Sequence, residues 1–396
     1  MENNIIKIGH IKIIFIISIF GIVFQSFRTK EIIQDSDQKK IKIIFTGDIS
    51  WGESYQLKLE KKGKENILFT KGYDYCIEKL KLILQQSNLI IGNLETPLTD
   101  LKRSPLENKD KYKLHKGDLE LTPATLKKNN IACLSLANNH SMDYGVEGLD
   151  QTILTLKKYG LSYFGSGKNA AAASEPFIYD WIESEQKFKI IVMAGMPVDE
   201  KYKKEYQFYA SDTSAGVNGW TEKSAFNQVR VMRKQNKDAF IVVYPHWLEN
   251  YKWITKKQTA LSHIFIEAGA DAVIGHGTHM FQEIELHKGK WIVYSLGNFL
   301  FNSPGRYSKK KIAHSYSMVA LLELKKAKEK YGYILKLYPI QSDNIVTKYQ
   351  PRPVNSIEMD TIQNGLVKLI GTKNKQSNNF IQKDSSGFFI KLSSFQ

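Results

Sequence analysis

The sequence predicts an α/β fold, and three features carry that reading. Short, almost wholly apolar runs recur along the chain, segments with helical apolar spacing lie between them, and most runs end in a polar motif. Alternating strands and helices point to an α/β sheet. Strands without polar alternation are those covered on both faces. In chain order the runs are IKIIFTGDIS with Asp48, NLIIGNLETPL with Asn93 and Glu95, and NIACLSLA, which leads into Asn138, Asn139 and His140. FKIIVMAG, AFIVVYPHW with His246, DAVIGHGTH with His276 and His279, and KWIVYSLGNFLF complete the series.

The intervening helices follow from apolar residues that return to one face every three or four positions. In CIEKLKLILQQS these are Cys76, Leu80, Ile83 and Leu84. In YGVEGLDQTILTLKKYG they are Val146, Leu149, Ile153 and Leu156, with Gly160 as a C-terminal stop. KKQTALSHIFIEAGA repeats the pattern through Leu261, Ile264, Phe265 and Ala268 and ends at Gly269. From about Ser315 the grammar changes. YSMVALLELKKAKEKYGYILKLYPI reads as two strands joined by a charged turn, TIQNGLVKLI as a short helix and GFFIKL as a strand. Residues 41–345 are therefore expected to form the main domain, and 346–396 a small C-terminal extension.

At 396 residues and 42% hydrophobic, the chain can bury a full core. Its net charge of +16 does not make it a nucleic-acid binder, because the lysines are scattered and no reading module accompanies them. An anionic polymer or a membrane surface is compatible with that charge. Cys76 and Cys133 both fall in apolar surroundings and read as buried free thiols. At the N-terminus, Lys7 and Lys12 precede an apolar run from Ile13 to Phe24, and Arg28 and Lys30 follow it. Residues 1–30 thus read as a signal segment or membrane anchor and 31–40 as a polar linker, with the body exported to the extracytoplasmic side.

The polar residues that end the strands form the candidate site. Asp48, Asn93, Glu95, Asn139, His246, His276 and His279 are a carboxylate, amide and imidazole set that suits manganese, zinc or iron, as one or two ions. In open α/β sheets such strand exits are where ligands bind. Asp48 or Glu95 is suited to bridge a metal pair. His140 is placed as an acid or electrostatic stabiliser, and Asn138 as its support and a candidate substrate contact. Arg306, in the basic loop SPGRYSKKK after the last strand of the series, is a candidate for an anionic substrate. His10, His115, His263, His287 and His314 belong to no such motif.

FTGDIS, GNLETPL, SLANNHSMDYGVEGL, the HW at 246, GADAVIGHGTHMFQEIE and YSLGNFLF occur in the order found in the CapA capsule-synthesis family. Over residues 41–302 the chain resembles that family, which is similar to calcineurin-like metallophosphoesterases. The resemblance implies a four-layer α/β/β/α sandwich with its site at the strand C-termini. It implies Asp48, Asn139, His246, His276 and His279 as ligands beside His140, and a part in making poly-gamma-glutamate or a related polyanionic surface polymer. Ser50 stands where metallophosphoesterases place a histidine, GNLE where they supply an aspartate, and Gly277 where the capsule family has an imidazole. The expected chemistry is metal-dependent hydrolysis or transfer at a phosphoester or amide. The other expectation is a non-catalytic subunit of a membrane polymer-synthase or export complex.

Overall fold

The computed structural model describes residues 40–109, 113–183, 186–305, 307–310, 312–327, 330–371 and 380–394. The expected N-terminal signal or anchor segment, most of the expected linker and Arg306 lie outside the described residues. The fold is mixed α/β, built on two large sheets.

The strands that frame the site are β1 (Lys40–Ser50), β2 (Leu89–Leu94), β3 (Ile131–Ser135) and β4 (Ser162–Phe164). They continue with β5 (Phe177–Glu183), β6 (Gln186–Pro197), β7 (Phe240–Pro245), β8 (Ala272–Ile274), β9 (Ile284–His287) and β10 (Lys290–Val293). Last come β11 (Asn298–Phe301), β12 (Tyr316–Ala327), β13 (Lys330–Gln341), β14 (Ile381–Asp384) and β15 (Gly387–Ser394). Four helices matter here: α1 (Leu121–Lys128), α2 (Gly145–Lys158), α3 (Glu222–Gln235) and α4 (Lys256–Ala268). One sheet runs β14-β15-β13-β12-β1-β2-β3-β4, with β11 also paired to β1; the other runs β9-β10-β8-β7-β6-β5, with the short strand Leu369–Ile370 paired to the outer side of β9. The C-terminal extension thus adds β14 and β15 to the first sheet and the short strand Leu369–Ile370 to the second.

Strand alternation sorts the side chains into cores. Ile43 and Phe45 of β1, Ile91 of β2 and Cys133 of β3 share one cluster with Ile190 and Val192 of β6 and Val242 of β7, so this core joins the two sheets. Their neighbours Ile44, Ile90 and Leu134 turn the other way, onto Leu126 of α1 and Leu149 and Leu156 of α2. On the second sheet Ile191, Ile241 and Val243 turn onto Val229 of α3 and Leu261 and Phe265 of α4. Both cysteines are buried free thiols.

The helix expected over residues 76–84 is instead three short turns, Tyr73–Cys76, Glu78–Leu80 and Lys81–Leu84. Its predicted apolar face is still buried. The Tyr75 carbonyl, which a helix beginning at Cys76 would use, accepts instead from Gln350 Nε2 at 3.0 Å, a partner distant in sequence.

Two glycines of the motifs interlock. A Cβ on Gly47 would stand 1.7 Å from the Gly297 carbonyl oxygen, so only glycine lets β1 meet the segment entering β11. That closeness sets the register, in which Asp48 pairs with Asn298 on one side and with Asn93 on the other.

His314 carries a pH dependence into the body of the fold. Its Nε2 donates to the Phe281 carbonyl at 3.1 Å and its Nδ1 accepts from the Tyr316 N–H at 3.3 Å, which only the neutral ring can do. Burial lowers its pKa from 6.5 to about 4. Between those values the unfolded chain binds a proton that the folded chain refuses, so stability rises with pH across the window and is lost on acidification. We expect this group to contribute a slope on the order of 1.4 kcal/mol per pH unit. Urea midpoints of metal-free protein across the window should show it, and His314→Asn should flatten it; an unchanged slope would reject the assignment.

Candidate metal centre

The two sheets deliver their strand ends to one buried place. Asp48 comes from β1, Asn93 from β2, and His246 and His276 from the exits of β7 and β8, which are joined by a parallel bridge. Asp48, Asn93, His246 and His276 are at most 1% exposed. Two sets of ligand atoms lie within 4.8 Å of one another, Asp48–His246–His276 and Asp48–Glu95–His279. Asp48 belongs to both. Its Oδ1 is 3.2 Å from His276 Nδ1, and its Oδ2 is 3.9 Å from His279 Nδ1.

Hydrogen bonds anchored on the backbone decide which atoms face inward. Asn138 Oδ1 accepts from the backbone N–H groups of His140 and Ser141, both at 3.0 Å. Its Nδ2 must therefore donate, and it does so to Asn93 Oδ1 at 3.0 Å. Asn93 in turn donates from Nδ2 to Asp48 Oδ1 at 3.0 Å. Asn93 thus turns its nitrogen, not its oxygen, to the cluster and orients the carboxylate. Asn138 is the keystone of this chain, which answers for its complete burial.

Asn139 acts similarly on His246. Its Oδ1 lies 2.8 Å from His246 Nε2, so that nitrogen carries the proton and the Nδ1 lone pair points at His276 Nδ1, 3.2 Å away. Asn298 Oδ1 lies 2.8 Å from His279 Nδ1. Asn298 is fixed by Tyr307, whose hydroxyl accepts from Asn298 Nδ2 and donates to the His279 carbonyl. His279 itself has φ 63, and Tyr251, whose ring lies against it, has φ 58. Left-handed backbone at two non-glycine residues is strain of the kind found at functional sites.

Burial would raise the Asp48 pKa, but the His276 bond and the charges of His276, His246 and His279 outweigh it and hold it at about 2. Desolvation, together with the His276 charge, drives His246 down to about 3. At neutral pH the cluster therefore presents an ionised carboxylate and a neutral imidazole, the forms that bind metal. The lone pairs of Asp48 Oδ1 and His246 Nδ1 converge beside His276 Nδ1, while His276 Nε2 is buried without a hydrogen-bond partner. A divalent cation fits this donor set.

Gly277 has φ 98 and donates its N–H to Asp48 Oδ2 at 3.2 Å. A Cβ there would lie 2.4 Å from the Trp247 carbonyl oxygen, so this backbone has no room for the imidazole of the related pattern. Ser50 turns its hydroxyl to the Gly52 N–H at 3.3 Å.

His140 stands at the edge of the cluster, with Nδ1 2.7 Å from Asp143 Oδ2 and Nε2 3.9 Å from Glu95 Oε1. Sequence reasoning missed Asp143, Asn298 and His115. Asp143 receives the His115 N–H at 2.6 Å, and the His115 ring stacks on His140 with centroids 3.6 Å apart. An acid three positions after a histidine was the available signal for Asp143. His115 gave none. A cleft lined by Lys113, His115, His140, Tyr202, Tyr251 and His279 opens from the cluster.

Residues 42–303 match the family model described as bacterial capsule synthesis protein PGA_cap. A relative named PGA biosynthesis protein CapA, from Bacillus subtilis, is 29% identical over 65% of this chain and 62% of its own length. The capsule biosynthesis protein CapA of Bacillus anthracis is 25% identical over 82% of this chain and 72% of its own. A probable polyglutamine synthesis accessory protein of Mycobacterium tuberculosis is 27% identical over 55% of this chain and 57% of its own. The chain therefore spans less than two thirds of the length of the Bacillus subtilis relative.

Proposed function

The chain belongs to the bacterial capsule synthesis family PGA_cap, and from that premise we propose that it is a metal-dependent hydrolase or transferase acting on phosphoester or amide bonds in the making of a polyanionic surface polymer. Poly-gamma-glutamate is the polymer named for its relatives in the abbreviated form PGA. The observation that carries the reading is the single carboxylate, Asp48, shared by two ligand triads at the strand ends. A divalent ion held there by Asp48, Glu95, His246, His276 and His279 would polarise a phosphoryl or carbonyl oxygen and lower the pKa of a water. Asn93, Asn138, Asn139 and Asn298 hold those ligands in place. His140, backed by Asp143, faces the cleft as the acid for a leaving group. The burial of strands on both faces supports reading the layers as an α/β/β/α sandwich of metallophosphoesterase type.

The apolar run Ile13–Phe24 supports anchoring at a membrane with the body outside the cytoplasm. Among the described residues no helix is long and apolar enough to cross a membrane. The net charge of +16 suits a polyanionic partner.

The missing side chain at Gly277 and the diversion of Ser50 favour a second reading, a binding subunit within a polymer-synthesis complex. One experiment separates the two. The full-length chain, loaded with manganese or zinc, is assayed on phosphoesters, gamma-glutamyl amides and poly-gamma-glutamate. We expect turnover that a chelator removes and added metal restores. Polymer binding without turnover on any of them would reject catalysis in favour of the binding subunit.

A further inference from the structure

Two one-turn helices hold apolar side chains out in water among lysines. Ile67–Thr70 carries Phe69, 86% exposed, and Asn344–Thr347 carries Ile345 and Val346, 64% and 56% exposed. Burial of their neighbours fixes that outward direction, since Ile67, Leu68, Asn344 and Thr347 all face inward. The two segments are tied together, because the Tyr75 hydroxyl donates to the Lys348 carbonyl at 3.2 Å. Between them lies a cleft of about 480 Å³, walled by Tyr55, Tyr75 and Tyr349 and by Lys64, Lys71 and Lys348.

Single exposed apolar residues are ordinary on a protein surface, but a cluster rimmed by polar groups marks an interaction site. Lys348 and Tyr349 are consecutive non-glycine residues with φ 54 and 63, strain of the kind kept where a site is in use. The face is also basic. Lys58, Lys61 and Lys62 are exposed on the same stretch of chain as Lys64 and Lys71. Its acids have neutral partners, Glu65 accepting from Thr70 Oγ1 at 2.7 Å and Glu60 from Asn66 Nδ2 at 3.0 Å.

We propose that this face docks the folded body onto an anionic lipid surface. The lysines complement the headgroups, each adding to the attraction near the surface. Phe69, Ile345 and Val346 leave water for the acyl boundary, and the tyrosines stand at the interface between the two. A soluble polyanion would engage the lysines and leave the apolar side chains in water, so the lipid surface accounts for both. The contact is additional to the one given above to the N-terminal run, and it rests on no step of the proposed reaction.

The test uses the full-length chain. Cys76 and Cys133 are buried, so a cysteine placed by Phe69→Cys or Val346→Cys takes an environment-sensitive dye selectively. In vesicles containing phosphatidylglycerol the dye should brighten at both positions and be quenched by lipids brominated in the acyl chain. In phosphatidylcholine alone neither change should occur. Dye on Val231→Cys, half exposed on α3 in the layer over the second sheet, should respond to neither. Lys64→Gln, Lys71→Gln and Lys348→Gln should each weaken docking about fivefold. Flotation with phosphatidylcholine vesicles reads the N-terminal run by itself, so failure of that anchor is seen separately. Absence of quenching at position 69 or 346, or equal quenching in neutral vesicles, would overturn the proposal. Brightening by soluble poly-gamma-glutamate without vesicles would overturn it in favour of a polymer site.

Discussion

Asp48→Ala will strip manganese from the strand-end centre, lowering its affinity by ~100-fold or more, beyond the loss typical of a group that merely orients a ligand. The reason is the position of this side chain in both triads, with Oδ1 toward His276 and Oδ2 toward His279. Without it, the triad of His246 and His276 has no carboxylate, and Glu95 alone is left to compensate a buried dication. His246→Ala is the informative companion, because it breaks one triad and leaves Asp48, Glu95 and His279 intact. Manganese retained by the full-length chain should be lost in Asp48→Ala and only partly lost in His246→Ala. Wild-type manganese content in Asp48→Ala would remove the shared carboxylate from the account.

Much of this site was legible because strand exits are short and their residue types unusual. Asp48, His246 and His276 follow apolar runs so closely that each marks a strand exit, and their convergence then needs the two sheets to pack with those exits at one end. The layered cores were legible for the same reason, since the apolar runs have no polar face to offer solvent. What sequence could not give was the direction of an amide. Asn93 is a ligand candidate by type, yet its oxygen is held by Asn138, whose own orientation is set by the backbone N–H groups of the next turn. Nor could spacing find His115, which reaches the site through a loop and joins it by stacking on His140. The helix expected over 76–84 is broken for a related reason, because a side chain distant in sequence, Gln350, engages the carbonyl at its start.

His140→Ala should abolish turnover on whichever phosphoester or amide the full-length chain cleaves, while manganese content stays at the wild-type level. His140 lies 3.9 Å from Glu95 and belongs to neither triad that contains Asp48, so its removal costs no ligand. A positioned acid contributes roughly 10²–10⁴-fold, and that is the expected fall in kcat. Asp143→Asn tests the same residue from behind. The His140 Nδ1–H is held by Asp143 Oδ2 at 2.7 Å, so asparagine can keep the ring in place through its oxygen while removing the charge. An imidazolium that loses an anionic neighbour gives up its proton more easily. The alkaline limb of the rate profile should therefore move to lower pH in Asp143→Asn, a displacement that a purely structural role would not produce. Unchanged turnover in His140→Ala would end the acid assignment. Loss of manganese in that variant would make His140 a ligand instead.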